Sequence, residues 1–124
     1  MYSRVSVEAD IETLDAAREA TRAVLRALRD RLTPEEGDHA LAQLPQELKG
    51  LWSSGAPTSR RPIKLHRREF LQRVRVDAGL KSMGQAEMVT DAVFAGLKEQ
   101  LSRGEVDDIT AQLPRDLKTL WSRA

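Results

Sequence analysis

The sequence predicts an all-α fold: two tandem four-helix modules packed as one pseudo-two-fold helical domain. Three observations lead there. The string Ala42-Gln43-Leu44-Pro45-Gln46-Glu47-Leu48-Lys49-Gly50-Leu51-Trp52-Ser53 returns 69 positions later as Ala111-Gln112-Leu113-Pro114-Arg115-Asp116-Leu117-Lys118-Thr119-Leu120-Trp121-Ser122. Aromatic residues make up only 4% of the chain and apolar residues 40%, so the core must be Leu, Val and Ala, a mix that favours helix. Apolar side chains recur three or four positions apart over long stretches.

The 69-residue shift applies without a gap from residues 1–55 to 70–124. Roughly two positions in five are identical, far beyond shared helix bias. Each copy reads as the same four helices. A first helix is expected over 2–9 and 69–79, and a long second helix over 13–32 and 83–101. The apolar stripe of the second helix is Leu14, Ala17, Thr21, Val24, Leu28 and Leu32, matched by Met83, Ala86, Thr90, Val93, Leu97 and Leu101. Thr33-Pro34-Glu35-Glu36 and Ser102-Arg103-Gly104-Glu105 read as capping boxes opening a third helix, over 34–43 and 103–112. Pro45 and Pro114 end that helix and open a fourth, over 45–53 and 114–122. There Leu48, Leu51 and Trp52, and Leu117, Leu120 and Trp121, share one face. A module of 55 residues buries a modest core alone, so the two copies are expected to close on each other as a single domain over 1–124. Because Pro45, Trp52, Pro114 and Trp121 all recur at the shift, they are assigned structural roles. The joint runs from Ser54 to Arg68. Gly55-Ala56-Pro57-Thr58-Ser59 is loop chemistry, while Ile63 and Leu65 are expected to pin the joint to the core.

Composition narrows the chemistry. Absence of Cys removes disulfides, thiol nucleophiles and Cys-ligated metals. No apolar run reaches the roughly 20 residues of a membrane span, and the start Met1-Tyr2-Ser3-Arg4-Val5 does not read as a signal peptide. The expected location is the cytoplasm. His39 and His66 do not recur as a pair and read as surface residues. Glu35, Glu36, Asp38, Glu105, Asp107 and Asp108 fall in first helical turns, where negative charge complements the helix dipole. There is no Gly-rich phosphate loop and no nucleophile elbow. The expectation is therefore no catalytic residue, no metal and no cofactor.

The modules, each with a long Ala/Leu/Arg helix, a Ser/Thr-x-x-Glu box and Gln-Leu-Pro-x-x-Leu-x-x-Leu-Trp, resemble a bacterial domain family of unknown function. That family occurs as small stand-alone proteins and beside other modules such as CBS pairs. Its usual opening is matched by Glu69-Phe70-Leu71-Gln72-Arg73-Val74 in the second copy, whereas Met1-Tyr2-Ser3-Arg4-Val5 departs from it. The resemblance implies a fold and brings no catalytic residues with it.

Two basic features break the repeat. Residues 56–69 hold 5 basic and 1 acidic side chains, against 7 and 10 in 1–55 and 8 and 8 in 70–124. The positive spot is thus the linker, with Arg60, Arg61, Lys64, Arg67 and Arg68. Arg18, Arg22, Arg26 and Arg29 line the second helix, where the second copy has Glu87, Asp91, Ala95 and Lys98. Three readings arise: a solvated face with local pairs such as Asp15–Arg18 or Glu19–Arg22, Arg residues facing Glu87 and Asp91 of the other copy, or contacts to an anionic partner. The functional expectation is a non-enzymatic helical module that binds a protein or itself. The alternatives are a nucleic-acid-associated protein using the basic residues, and a carrier of an apolar ligand. The carrier would need a preformed pocket of about 300 Å³ or more between the copies.

Overall fold

The computed structural model describes residues 1–54 and 62–124. Gly55–Ser59, expected to be loop, and Arg60 and Arg61 of the basic linker lie outside the described residues. The described residues form eight helices and no strand: α1 (Tyr2–Glu8), α2 (Leu14–Arg31), α3 (Pro34–Ala42), α4 (Gln46–Ser53), α5 (Arg67–Ala78), α6 (Met83–Gln100), α7 (Arg103–Gln112) and α8 (Arg115–Arg123). Each lies within two residues of its sequence-predicted bounds.

Local chemistry explains the ends. Thr13, Thr33, Ser82 and Ser102 each accept a backbone N–H of the following turn, capping α2, α3, α6 and α7. Pro45 and Pro114 sit one position before α4 and α8 with φ −64° and ψ 156°; the fixed φ of proline suits that entry. Gly79 stops α5 in the left-handed conformation, φ 65°.

Two long helices, α2 and α6, touch at the centre. α5 packs on both, as does α1, while α4 covers α2, α8 covers α6, and α3 meets α7. One apolar cluster runs through both halves and includes Val24, Leu28, Val93 and Leu97, all without exposed surface. The buried stripe on α2 begins at Ala17 rather than at Leu14, which is 57% exposed. Leu65 is buried and pins the joint as expected, whereas Ile63 is exposed and instead donates its N–H to Asp30 O at 2.8 Å.

Both tryptophans close the interior, at 2% exposure for Trp52 and 1% for Trp121. Trp121 meets Phe94 edge-on with centroids 5.0 Å apart. Its indole N–H donates to Thr110 Oγ1 at 2.9 Å, which satisfies the one polar atom that burial would otherwise strand.

Four polar contacts joining the first half to the second come in two matched pairs. Arg4 reaches Glu99 at 2.9 Å, and Arg73 reaches Asp30 at 2.6 Å. Thr33 N–H donates to Gln112 Oε1 at 2.9 Å, and Ser102 N–H donates to Gln43 Oε1 at 2.7 Å. In each case the partners exchange halves under the 69-residue shift.

Candidate carboxylate clasp between α3 and α7

The capping boxes are only half made, and the missing half creates the site. In a complete box the Glu at the third helical position reaches back to the cap N–H. Here Gln112 and Gln43 from the opposite half take those N–H groups. Glu36 and Glu105 are thereby released and turn inward where α3 meets α7. Both are buried, at 8% and 5% exposure. Their carboxylates, with His39 of α3, bring three donor atoms within 4.8 Å of one another. His39 Nδ1 lies 3.9 Å from Glu36 Oε2, and its side chain is 59% exposed. One buried oxygen on each glutamate, Oε2, has no hydrogen-bond partner.

Two buried carboxylates side by side cannot both hold a full charge cheaply. Burial pushes the Glu105 carboxyl up to about 8. The hydrogen bond it makes to Glu36 when protonated raises it further, as do the negative charges of Glu36 and Asp108. Both glutamates keep the first-turn positions that complement the helix dipole, and the structure adds their burial and their proximity to each other. Two signals in the sequence were passed over: Glu36-Gly37-Asp38-His39 has the one-turn Glu-x-x-His spacing, although His39 read as a surface residue, and Glu36 recurs as Glu105. Neither shows that the two copies meet at this position.

The basic residues have a different fate. Arg22 pairs with Glu19 at 3.1 Å, as the local-pair reading expected, and Arg18 also turns to Glu19, at 3.7 Å, rather than to Asp15. Arg26 is half-buried, with its Nε buried and without a hydrogen-bond partner. Arg29 donates to Trp52 O at 2.9 Å and Ser54 O at 3.1 Å, and pairs with Asp30. Lys98 does the equivalent in the second half, donating to Trp121 O and Ala124 O, both at 3.0 Å. A cation at this place therefore holds the end of α4 or α8, and Arg29 belongs to the fold rather than to a stripe that breaks the repeat.

Glu87 and Asp91 do not face Arg18–Arg29. Glu87 is held by Arg67 and Arg123, and Asp91 by Arg123 at 3.0 Å. Arg123, with help from Arg67, keeps the Glu87 carboxyl below the usual range. Arg67 thus leaves the basic linker for an internal pair. Lys64 and Arg68 are exposed. His66 stands 3.4 Å from Asp116. A separate feature lies on the outer side of α5: an open depression of about 440 Å³ lined by Arg68, Glu69, Gln72, Arg73, Val76 and Asp77.

Among the described residues, a helical fold with two long central helices, and a polar clasp where two short helices meet, defines a small helical module. Over residues 1–120 the chain belongs to the family described as "Uncharacterized conserved protein (DUF2267)". No curated protein matches it. Among the described residues no helix is long and apolar enough to cross a membrane.

Proposed function

We propose that this chain is a non-enzymatic module that docks a protein surface, built from two copies of one helical unit facing each other isologously. The matched exchanges Arg4–Glu99 with Arg73–Asp30, and Gln112–Thr33 with Gln43–Ser102, support the arrangement. In an isologous interface residue i meets j and j meets i.

The observation that carries the docking role is the depression on α5. Val76, 63% exposed, is rimmed there by the cation Arg68 and the anions Glu69 and Asp77, while Arg73 beneath them is held by Asp30. An apolar centre with a rim of both signs suits a polypeptide. A polyanion would be served by one sign only. An apolar ligand would need an enclosed cavity, and this depression is open. Arg29 and Arg67 are also held by internal contacts, and Arg18 and Arg22 share the surface carboxylate of Glu19, which leaves a weaker basic surface than the sequence suggests.

The test is affinity capture from the native host with wild type and Val76→Asp in parallel, followed by titration of the purified partner. A protein bound by wild type and lost with Val76→Asp is the expected result. Identical captures for both chains, with light scattering unchanged between them, would overturn the reading. So would nuclease-sensitive retention of DNA or RNA in place of protein.

A further inference from the structure

We propose that the α3–α7 clasp is a divalent metal site of the first-row transition series, with Glu36, His39 and Glu105 as ligands and zinc as the best-fitting ion.

The argument starts from an imbalance. Glu36 and Glu105 are more than nine-tenths buried, yet each keeps an Oε2 with no hydrogen-bond partner. Buried polar atoms are nearly always satisfied, and a buried unsatisfied carboxylate oxygen is costly. One carboxylate oxygen of each glutamate lies within 4.8 Å of the other and of a His39 nitrogen, and no Lys or Arg ion pair reaches either glutamate among the described residues. A proton shared between the two carboxyls can satisfy them, and so can a cation, which the imidazole of His39 beside them suits.

Geometry supports an ion of ordinary size. Carboxylate oxygen and imidazole nitrogen bind zinc at roughly 2.0–2.2 Å, so ligand atoms around a tetrahedral zinc stand about 3.4 Å apart. The three donor atoms here already lie within 4.8 Å of one another. Side-chain adjustments of about 1 Å close the difference.

The donor set sets the preference. Two carboxylates and one imidazole favour zinc, cobalt or manganese over magnesium and calcium, which prefer all-oxygen shells. The exposed side of His39 admits the ion and leaves room for water as a fourth ligand. Only the first half supplies the nitrogen, because His39 is replaced by Asp108 at the corresponding place. One site per chain follows. Such an ion would tie α3 to α7, and so one half to the other.

The test uses the full chain, stripped with chelator. Calorimetric titration with Zn2+ should show one ion per chain, and Co2+ should give a visible d–d band. Glu105→Gln, Glu36→Gln and His39→Ala should each weaken Zn2+ binding by about tenfold or more. His66→Ala, which removes the other histidine, should leave it unchanged. His39 is exposed, so His39→Ala is a variant whose fold is not in question, and circular dichroism checks the two glutamine variants. The proposal falls if wild type shows no saturable binding below about 100 μM, a free energy near 5.5 kcal/mol. It also falls if binding survives all three ligand changes, or if His66→Ala abolishes it.

Discussion

Two junctions join the halves of this molecule, and they treat charge in opposite ways. Where α1 meets α6 and α5 meets α2, opposite charges pair: Arg4 with Glu99 and Arg73 with Asp30. Where α3 meets α7, like meets like, Glu36 against Glu105. On the isologous reading the difference has one cause. A residue away from the symmetry element meets a different residue, so evolution can make the two complementary. A residue on that element meets its own counterpart, so duplication sets a carboxylate beside a carboxylate. The first junction is balanced internally. The second is balanced only by something added, a proton or a cation.

The largest expected effect comes from that imbalance. With its carboxyl raised to about 8, native Glu105 keeps a proton that the unfolded chain has already lost. Stability of metal-free protein should therefore fall as pH rises from the ordinary glutamate range to about 8, and this group adds no further change above it. A tenfold difference in proton affinity between the folded and unfolded chain is worth about 1.4 kcal/mol. A loss of about 1–3 kcal/mol between pH 5.5 and 9 is expected once partial relaxation is allowed for. The groups facing the carboxyl are Glu36 and His39 on α3 and Asp108 on its own helix. Glu87 does not blur the window, because its lowered value acts on the acid side. Urea denaturation in the presence of chelator reads the effect, and Glu105→Gln should remove most of the slope. An equal slope in wild type and variant would place the titrating group elsewhere.

The next effect tests whether the crossed caps free the glutamates. Gln112 holds the half-buried Thr33 N–H and Gln43 the more exposed Ser102 N–H. Gln112→Ala should cost about 1 kcal/mol and Gln43→Ala about half that, read as shifts in urea midpoint at constant slope. If either alanine variant proved neutral, the cap N–H would have another acceptor, and Glu36 or Glu105 would be the first to examine.

Most of the scaffold was legible in the sequence because helix formation here is local. Thr13, Thr33, Ser82 and Ser102 cap their own turns, and Pro45, Pro114 and the Leu–Trp faces need no distant partner to be recognised. The clasp was not legible for the opposite reason. A Ser/Thr-x-x-Glu box predicts a glutamate that folds back on its own cap, and only contact with the other half diverts it. One member of the basic stripe escaped sequence reading in a similar way. Arg29 resembles Arg18 and Arg22 in spacing, yet it reaches 23 residues along the chain to Trp52 O, a contact that periodicity cannot report.

The complementary junction should itself be uneven. Arg73 and Asp30 are 21% and 18% exposed, whereas Arg4 and Glu99 are 37% and 66% exposed. A double-mutant cycle should give about 1–2 kcal/mol of coupling for Arg73 with Asp30, and under about 0.5 kcal/mol for Arg4 with Glu99. Equal couplings would mean that burial does not set the strength of these pairs.

The smallest expected effect bears on whether the two halves share their rules. Lys98 donates to Trp121 O and Ala124 O and lies 5.6 Å from the Trp121 ring centroid. Arg29 serves Trp52 O and Ser54 O at the corresponding place. Arginine and lysine differ most where a planar fork must match a carboxylate, but here the targets are separate carbonyls at a helix end, which favour any cation. Lys98→Arg should therefore change stability by less than about 0.5 kcal/mol, whereas Lys98→Met should cost about 1 kcal/mol by leaving those carbonyls unpaired. The two variants differ in charge but both keep a long side chain, so thermal or urea unfolding separates charge from packing. If Lys98→Met is as harmless as Lys98→Arg, the contact is packing alone, and the parallel between Arg29 and Lys98 loses its electrostatic content.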